Sequence, residues 1–191
     1  MTEVLAELSD LSEKIKLCRL CRLCEGATNA VPGEGSYEAD IMFIGEAPGK
    51  DEDLQGRPFV GRAGQYLNMM IESIGLKRED VFITNVVKHR PPGNRDPLPD
   101  EVEACFPYLV EQVRIIKPKL ICTLGRHAMD RFLPGLKISQ AHGKAVRYKG
   151  IYSETQVYFP LYHPAAALHN PNLKDTLIYD MKKIPILLKK I

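Results

Sequence analysis

Residues 40–49 read DIMFIGEAPG, and this stretch decides the fold. Asp40 to Gly45 is a short apolar run without polar alternation, the pattern of a strand covered on both faces. It runs straight into glycine and proline, so the chain leaves the sheet as a loop at Glu46. Three further segments repeat the plan: VFITNVV at 81–87, KLICTLG at 119–125 and TQVYFPLYH at 155–163, the last bent at Pro160. Helical spacing marks Gly64–Ile74, stopped at Gly75, and Asp100–Ile116, with Pro107 a kink or break. A short helix is read at Arg126–Phe132. Val4, Leu5, Leu8, Leu11 and Ile15 mark an N-terminal amphipathic helix to about Leu17, and Lys174–Lys190 reads as a C-terminal helix with a basic last turn. The stretches 46–62 and 88–99 read as loop, and HPAAALHNP at 163–171 as a turn or short helix. Strand–helix alternation predicts a three-layer α/β/α fold around a central, mostly parallel four-stranded sheet. In such sheets ligands lie beyond the carboxyl ends of the strands. Those ends carry Gly45–Gly49, Asn85, Gly125-Arg126-His127 and His163-Pro164-Ala165-Ala166.

The chain has 191 residues, a length that suits a single domain over 1–191. Hydrophobic residues make up 45% and charged residues 26%, which excludes wholesale disorder. Lys and Arg number 26 against 24 Asp and Glu, so a polybasic protein is excluded while a local basic patch is not. No apolar run reaches the roughly 18–20 residues of a membrane span. The N-terminus, MTEVLAELSDLSEKIKL, lacks the basic start and apolar core of a signal peptide, so a cytoplasmic, reducing compartment is the expectation.

There are five cysteines, an odd number that speaks for metal or catalysis rather than a disulfide framework. Cys18, Cys21 and Cys24 form C-x-x-C-x-x-C, a spacing that brings thiolates to one metal centre and suits zinc or an iron–sulfur cluster. With distant Cys105 and one more ligand, such a centre would staple residues 1–30 to the domain body. Cys122, inside an apolar strand, reads as a core residue.

Several motifs now fall into one order. GEAPG at Gly45–Gly49, GRPFVGRAG at Gly56–Gly64, TNVVK around Asn85, PPGNR at Pro91–Arg95 and HPAAALHNP at His163–Pro171 follow the C-x-x-C of Cys18 and Cys21. In this order the chain resembles the family 4 uracil-DNA glycosylases of the thermostable iron–sulfur type, nearly end to end. The resemblance implies hydrolysis of the N-glycosidic bond of deoxyuridine in DNA, with uracil-containing DNA, single- or double-stranded, as partner. It assigns Phe59 to stack on the extruded base and Asn85 to read the N3 and O4 edge of uracil. His163 would stabilise charge at O2, Glu46 would position the attacking water, and Glu52 would crowd the C5 edge against thymine. Gly45, Ala47 and Gly49 complete the base-contacting set. It also implies a 4Fe-4S cluster on Cys18, Cys21 and Cys105. The family's remaining cysteine is replaced here by His89, which is the expected fourth ligand, with Cys24 the alternative. A Cys3His zinc site is the other reading.

DNA contact would come from local charge: Lys88, His89, Arg90 and Arg95 after the second strand, and Lys50 and Arg62 beside the first motif. Leu168 and His169 would touch the backbone or wedge into the base stack. A monomer suffices for this chemistry. The rivals are a non-enzymatic metal-stabilised DNA-binding module, an iron–sulfur electron carrier, and a relative that bonds covalently to uracil-containing DNA. The covalent relatives carry an inserted basic loop that RPPGNRDPLP lacks.

Overall fold

A computed structural model describes residues 3–191, so the expectation for Met1 and Thr2 lies outside the described residues. Four strands form the centre: β2 (Ile41–Gly45), β3 (Phe82–Asn85), β4 (Leu120–Thr123) and β6 (Gln156–Tyr158). They lie in the order β3-β2-β4-β6, every pair parallel. The sheet extends further than the expected four strands. Two short strands, β1 (Glu34–Gly35) and β5 (Val146–Tyr148), add antiparallel to its two edges and make six. Neither has an apolar pattern, because an edge strand exposes one side to water.

Alternate residues of each central strand face opposite layers. Met42, Ile44, Phe82, Ile121 and Tyr158 join one core; Ile41, Phe43, Ile83, Leu120, Cys122 and Val157 join the other. The first core is covered by α1 (Glu3–Lys16) and α5 (Pro99–Ile116), which contribute Leu8, Leu11, Ile15, Leu109 and Val113. The second is covered by α4 (Arg62–Glu72), α8 (Pro164–His169) and α9 (Asn172–Met181), with Leu67, Met70, Ala167 and Leu177. Glu7 of α1 also pairs with Arg114 of α5 at 2.6 Å.

Local departures from the sequence reading have simple causes. Helix α3 (Lys50–Gln55) occupies part of an expected loop. Its six residues contain no helix breaker, and Gly56 at φ 66° ends it. Helix α5 runs through Pro107 unbroken: the proline ring faces solvent while Cys105 and Leu109 on either side are buried. The C-terminal helix is two, α9 and α10 (Ile184–Leu188), because Pro185 offers no N–H to continue α9. Among the described residues, no helix is long and apolar enough to cross a membrane.

Candidate active site

From β2 the chain moves to β3 on one side, then crosses back to β4 on the other. The carboxyl end of β2 is therefore a topological switch point, where the departing loops diverge and leave a crevice. A cavity of about 540 Å³ lies there, lined by Glu46, Phe59, Asn85, Arg95, His163 and His169 among others.

The parallel register sets Asn85 opposite Gly45. Asn85 is buried, and its side-chain Oδ1 has no hydrogen-bond partner. A buried acceptor without a donor is costly, so this atom is built to meet a ligand's N–H. The glycine opposite is required by contact: a Cβ on Gly45 would lie 2.4 Å from Asn85 Oδ1 and 2.6 Å from the Phe59 ring.

Phe59 holds a left-handed backbone, φ 50°, which is strained for an aromatic residue. The surroundings fix it. Arg78 donates to the Phe59 carbonyl at 3.1 Å and to that of Pro58. Glu52 Oε1 accepts from the amides of Val60 at 2.8 Å and Gly61 at 2.9 Å. Glu52 lines the cavity, yet this carboxylate oxygen is committed to the Phe59 loop, a bracing task that its expected place at the C5 edge did not include. Gly64 lets the loop close: a Cβ there would sit 1.9 Å from the Phe59 carbonyl oxygen. Gly64→Ala should therefore cost about 2–3 kcal/mol in urea unfolding, since overpacking against backbone cannot relax by side-chain rotation.

His163 sits across the cavity, its ring 5.7 Å from that of Phe59. The β4–β6 pairing continues to Leu124 and Leu161 and brings His163 against Gly125. Its Nδ1 accepts the Ala165 amide at 3.1 Å, so the proton of the neutral ring resides on Nε2. Burial pushes its pKa down to about 4, with Glu52 opposing. The imidazole is thus a neutral donor at physiological pH.

Glu46 is half-buried, and burial raises its pKa above the usual carboxylate range, against the attraction of His127 and Arg126 and with the repulsion of Asp96. His127 Nδ1 lies 3.6 Å from Glu46 Oε1, and its Nε2 3.2 Å from Asp96 Oδ2. The sequence marks His127 only as a residue at a strand end, and Asp96 as loop; no local pattern announces that they meet Glu46.

The cysteines gather elsewhere, beneath the loop after β3. Cys18 and Cys105 are buried, Cys21 and Cys24 half-buried. Burial raises the pKa of Cys21, and that of Cys105 to about 11, and Cys18 adds like-charge repulsion to both. The Lys88 amide donates to Cys105 Sγ at 3.1 Å. Cys18, Cys24 and buried His89 line one cavity, and burial, with Arg19, lowers the His89 pKa against the pull of Asp53. Among the described residues, these groups nowhere place three ligand atoms within 4.8 Å of one another. Cys122 is fully buried in the sheet core.

The basic patch needs correction. Lys88 is not at the surface: it is 1% exposed, and Nζ donates to Thr84 Oγ1, the Asn85 carbonyl and Gln112 Oε1, each at 2.7 Å. Its long stem completes the first core beside α5, so it holds Asn85 in place and cannot reach DNA. Arg95 is half-exposed and bidentate to buried Glu101 at 2.7 and 2.8 Å, which fixes it at the cavity rim. Arg90 is half-buried and bonds Asn94 Oδ1. Lys50, Arg62 and His169 are exposed, and Leu168 is half-buried.

Comparison with known proteins gives a consistent picture. The profile of the uracil DNA glycosylase superfamily matches residues 32–182. The chain is 56% identical over 164 residues to a type-4 uracil-DNA glycosylase of Sulfurisphaera tokodaii, covering 82% of this chain and 74% of that protein. It is 52% identical over 161 residues to the enzyme of the same description from Saccharolobus solfataricus, with 82% and 74% covered. The corresponding protein of Archaeoglobus fulgidus is 50% identical over 162 residues, with 82% and 81% covered.

Proposed function

The chain belongs to the uracil DNA glycosylase superfamily, and from that premise we propose how its cavity works. The protein is a uracil-DNA glycosylase of base excision repair: it hydrolyses the bond between uracil and deoxyribose and leaves an abasic site.

Deoxyuridine is extruded from the stack and enters the cavity. Its ring stacks on Phe59. The partnerless Asn85 Oδ1 accepts from uracil N3–H, and the amide nitrogen donates to O4. Cytosine presents the reverse pattern at both positions and is rejected. Gly45, Ala47 and Gly49 keep the backbone close to the base, and Glu52 braces the loop that carries the platform. As the glycosidic bond breaks, negative charge develops on the base. His163 Nε2–H donates to O2 and stabilises that charge without first losing a solvation shell. Ionised Glu46 holds the attacking water and offsets the positive charge on the sugar. The observation that supports this reading most is the pairing of two opposed needs across one cavity, an unmet acceptor on Asn85 and a free donor on His163.

A 4Fe-4S cluster fits the donor set, with Cys18, Cys21, Cys105 and His89 as the residues that would hold it and Cys24 the alternative to His89. Thiolates and an imidazole are both established iron ligands of such clusters, so the chemistry of the donor set suits the group. When bound, the cluster supplies a cross-link between the 18–24 loop, α5 and the loop that positions the cavity rim. DNA binds along Arg62, Arg90 and Arg95, with Leu168 and His169 beside the vacated stack. The enzyme acts as a monomer in the cytoplasm.

The test is release of free base from oligonucleotides carrying one uracil, with thymine strands as control and iron and sulfide measured on the same sample. Free uracil and no thymine is the expected result. No release at enzyme excess overturns the reading.

A further inference from the structure

Glu46 stands between two cavities. In front is the one that takes the base; behind is a second of about 370 Å³, whose wall includes Val86, His127, Asp130 and Arg131. From behind, the His127 ring is caught between two carboxylates, Glu46 at 3.6 Å and Asp96 at 3.2 Å, each on a different ring nitrogen. Each ring nitrogen thus faces a carboxylate oxygen from a different segment of the chain. The three groups come from three elements: the loop after β2, the loop after β3, and α6 (Arg126–Phe132).

We propose that His127 is a positioning residue for uracil release, which aims the Glu46 carboxylate at the water and is itself held by Asp96. This rests on the reading of Glu46 given above. His127 does not touch the base; it acts through Glu46. The logic is that of a reacting group oriented by a partner, which is in turn oriented by a third group.

The same contact sets the charge of Glu46. Glu46 must be ionised to hold water, and burial works against this. Arg126 and His127 of α6 oppose the burial, and Asp96 reinforces it. Asp130 and Arg131 line the rear cavity, where Arg131 lies over the Phe106 ring at 4.5 Å, and Glu52, His163 and His169 line the front. Removing the His127 ring takes away the larger of the two influences that lower the Glu46 pKa and leaves that of Arg126. The Glu46 pKa then rises, and the acid limb of the rate profile moves to higher pH.

The experiment is single-turnover uracil release by the full-length protein across pH, for His127→Ala, Glu46→Gln and the double variant. His127→Ala should slow the reaction roughly tenfold, a part of the hundredfold that a misplacement of about 1 Å can cost. Its acid limb should move measurably to higher pH, the direction set by losing a group that lowers the Glu46 pKa. In the Glu46→Gln background the same change should have no further effect. Because His127 is half-exposed, its melting temperature should stay near that of the parent, whereas a merely structural role would move that temperature and not the limb. If Glu46→Gln slows release but His127→Ala changes neither rate nor limb, the His127 inference is overturned and Glu46 stands. If Glu46→Gln leaves the rate unchanged, the role of Glu46 falls, and the inference with it.

Discussion

Replacing His163 by alanine lowers the rate of uracil release by about a hundred- to a thousandfold, roughly 3–4 kcal/mol of lost transition-state stabilisation. The magnitude follows from preorganisation. The Ala165 amide fixes the proton on Nε2, and the half-buried ring already faces the cavity. Water that refills the space must reorient as charge develops, which a fixed donor need not do. DNA affinity should change little, because the interaction grows only as the bond breaks. The pH profile gives a second check. His163 stays neutral down to about pH 4, so its own titration does not touch the rate near neutrality. Its folded-state pKa lies below the ordinary 6.5, so the folded state binds fewer protons, and stability falls as pH drops from about 6.5 towards 4. In single-turnover kinetics a loss under threefold would show that O2 is stabilised by another group.

The second large effect concerns the cysteines. Cys105→Ser should abolish iron retention and cost at least about 4 kcal/mol in unfolding experiments, the range reserved for loss of a bound metal. Part of the cost is local: Cys105 is packed beneath Lys88, whose amide bonds its sulfur and whose Nζ donates to the Asn85 carbonyl. Uracil release should therefore fall along with iron, although Cys105 lies outside the base cavity. His89→Ala should lose iron and Cys24→Ser should keep it. The reverse pattern would assign the fourth position to Cys24. Full iron in Cys105→Ser would remove the cluster from this set of residues altogether.

The central strands were legible in the sequence because parallel strands are buried on both faces and leave continuous apolar runs; IMFIG and LICT are of that kind. The carboxyl ends of those strands then located Glu46, Asn85 and His163 without any knowledge of side-chain packing. What escaped were features made by distant parts of the chain. Edge strand β1 is two residues long and is defined only by its pairing with Phe82 and Ile83. Lys88 sits in a sequence of basic residues and looks like its neighbours, but α5 closes over it and leaves only Thr84, Gln112 and a carbonyl to receive it. His127 and Asp96 are 31 positions apart and reveal their link to Glu46 only when β4 and the loop after β3 meet at the sheet edge. For Glu52 the resemblance implies only a place at the C5 edge, while its partners, the Val60 and Gly61 amides, are backbone groups that no side-chain pattern can signal.

The most direct measurement is a crystal structure of the protein with uracil bound. Uracil N3 should lie about 2.7–3.2 Å from Asn85 Oδ1 and O2 the same distance from His163 Nε2, with Phe59 along one face of the ring. Uracil bound outside this cavity, or bound in it with Asn85 Oδ1 still lacking a donor, would contradict the proposal that these two residues grip a single extruded base.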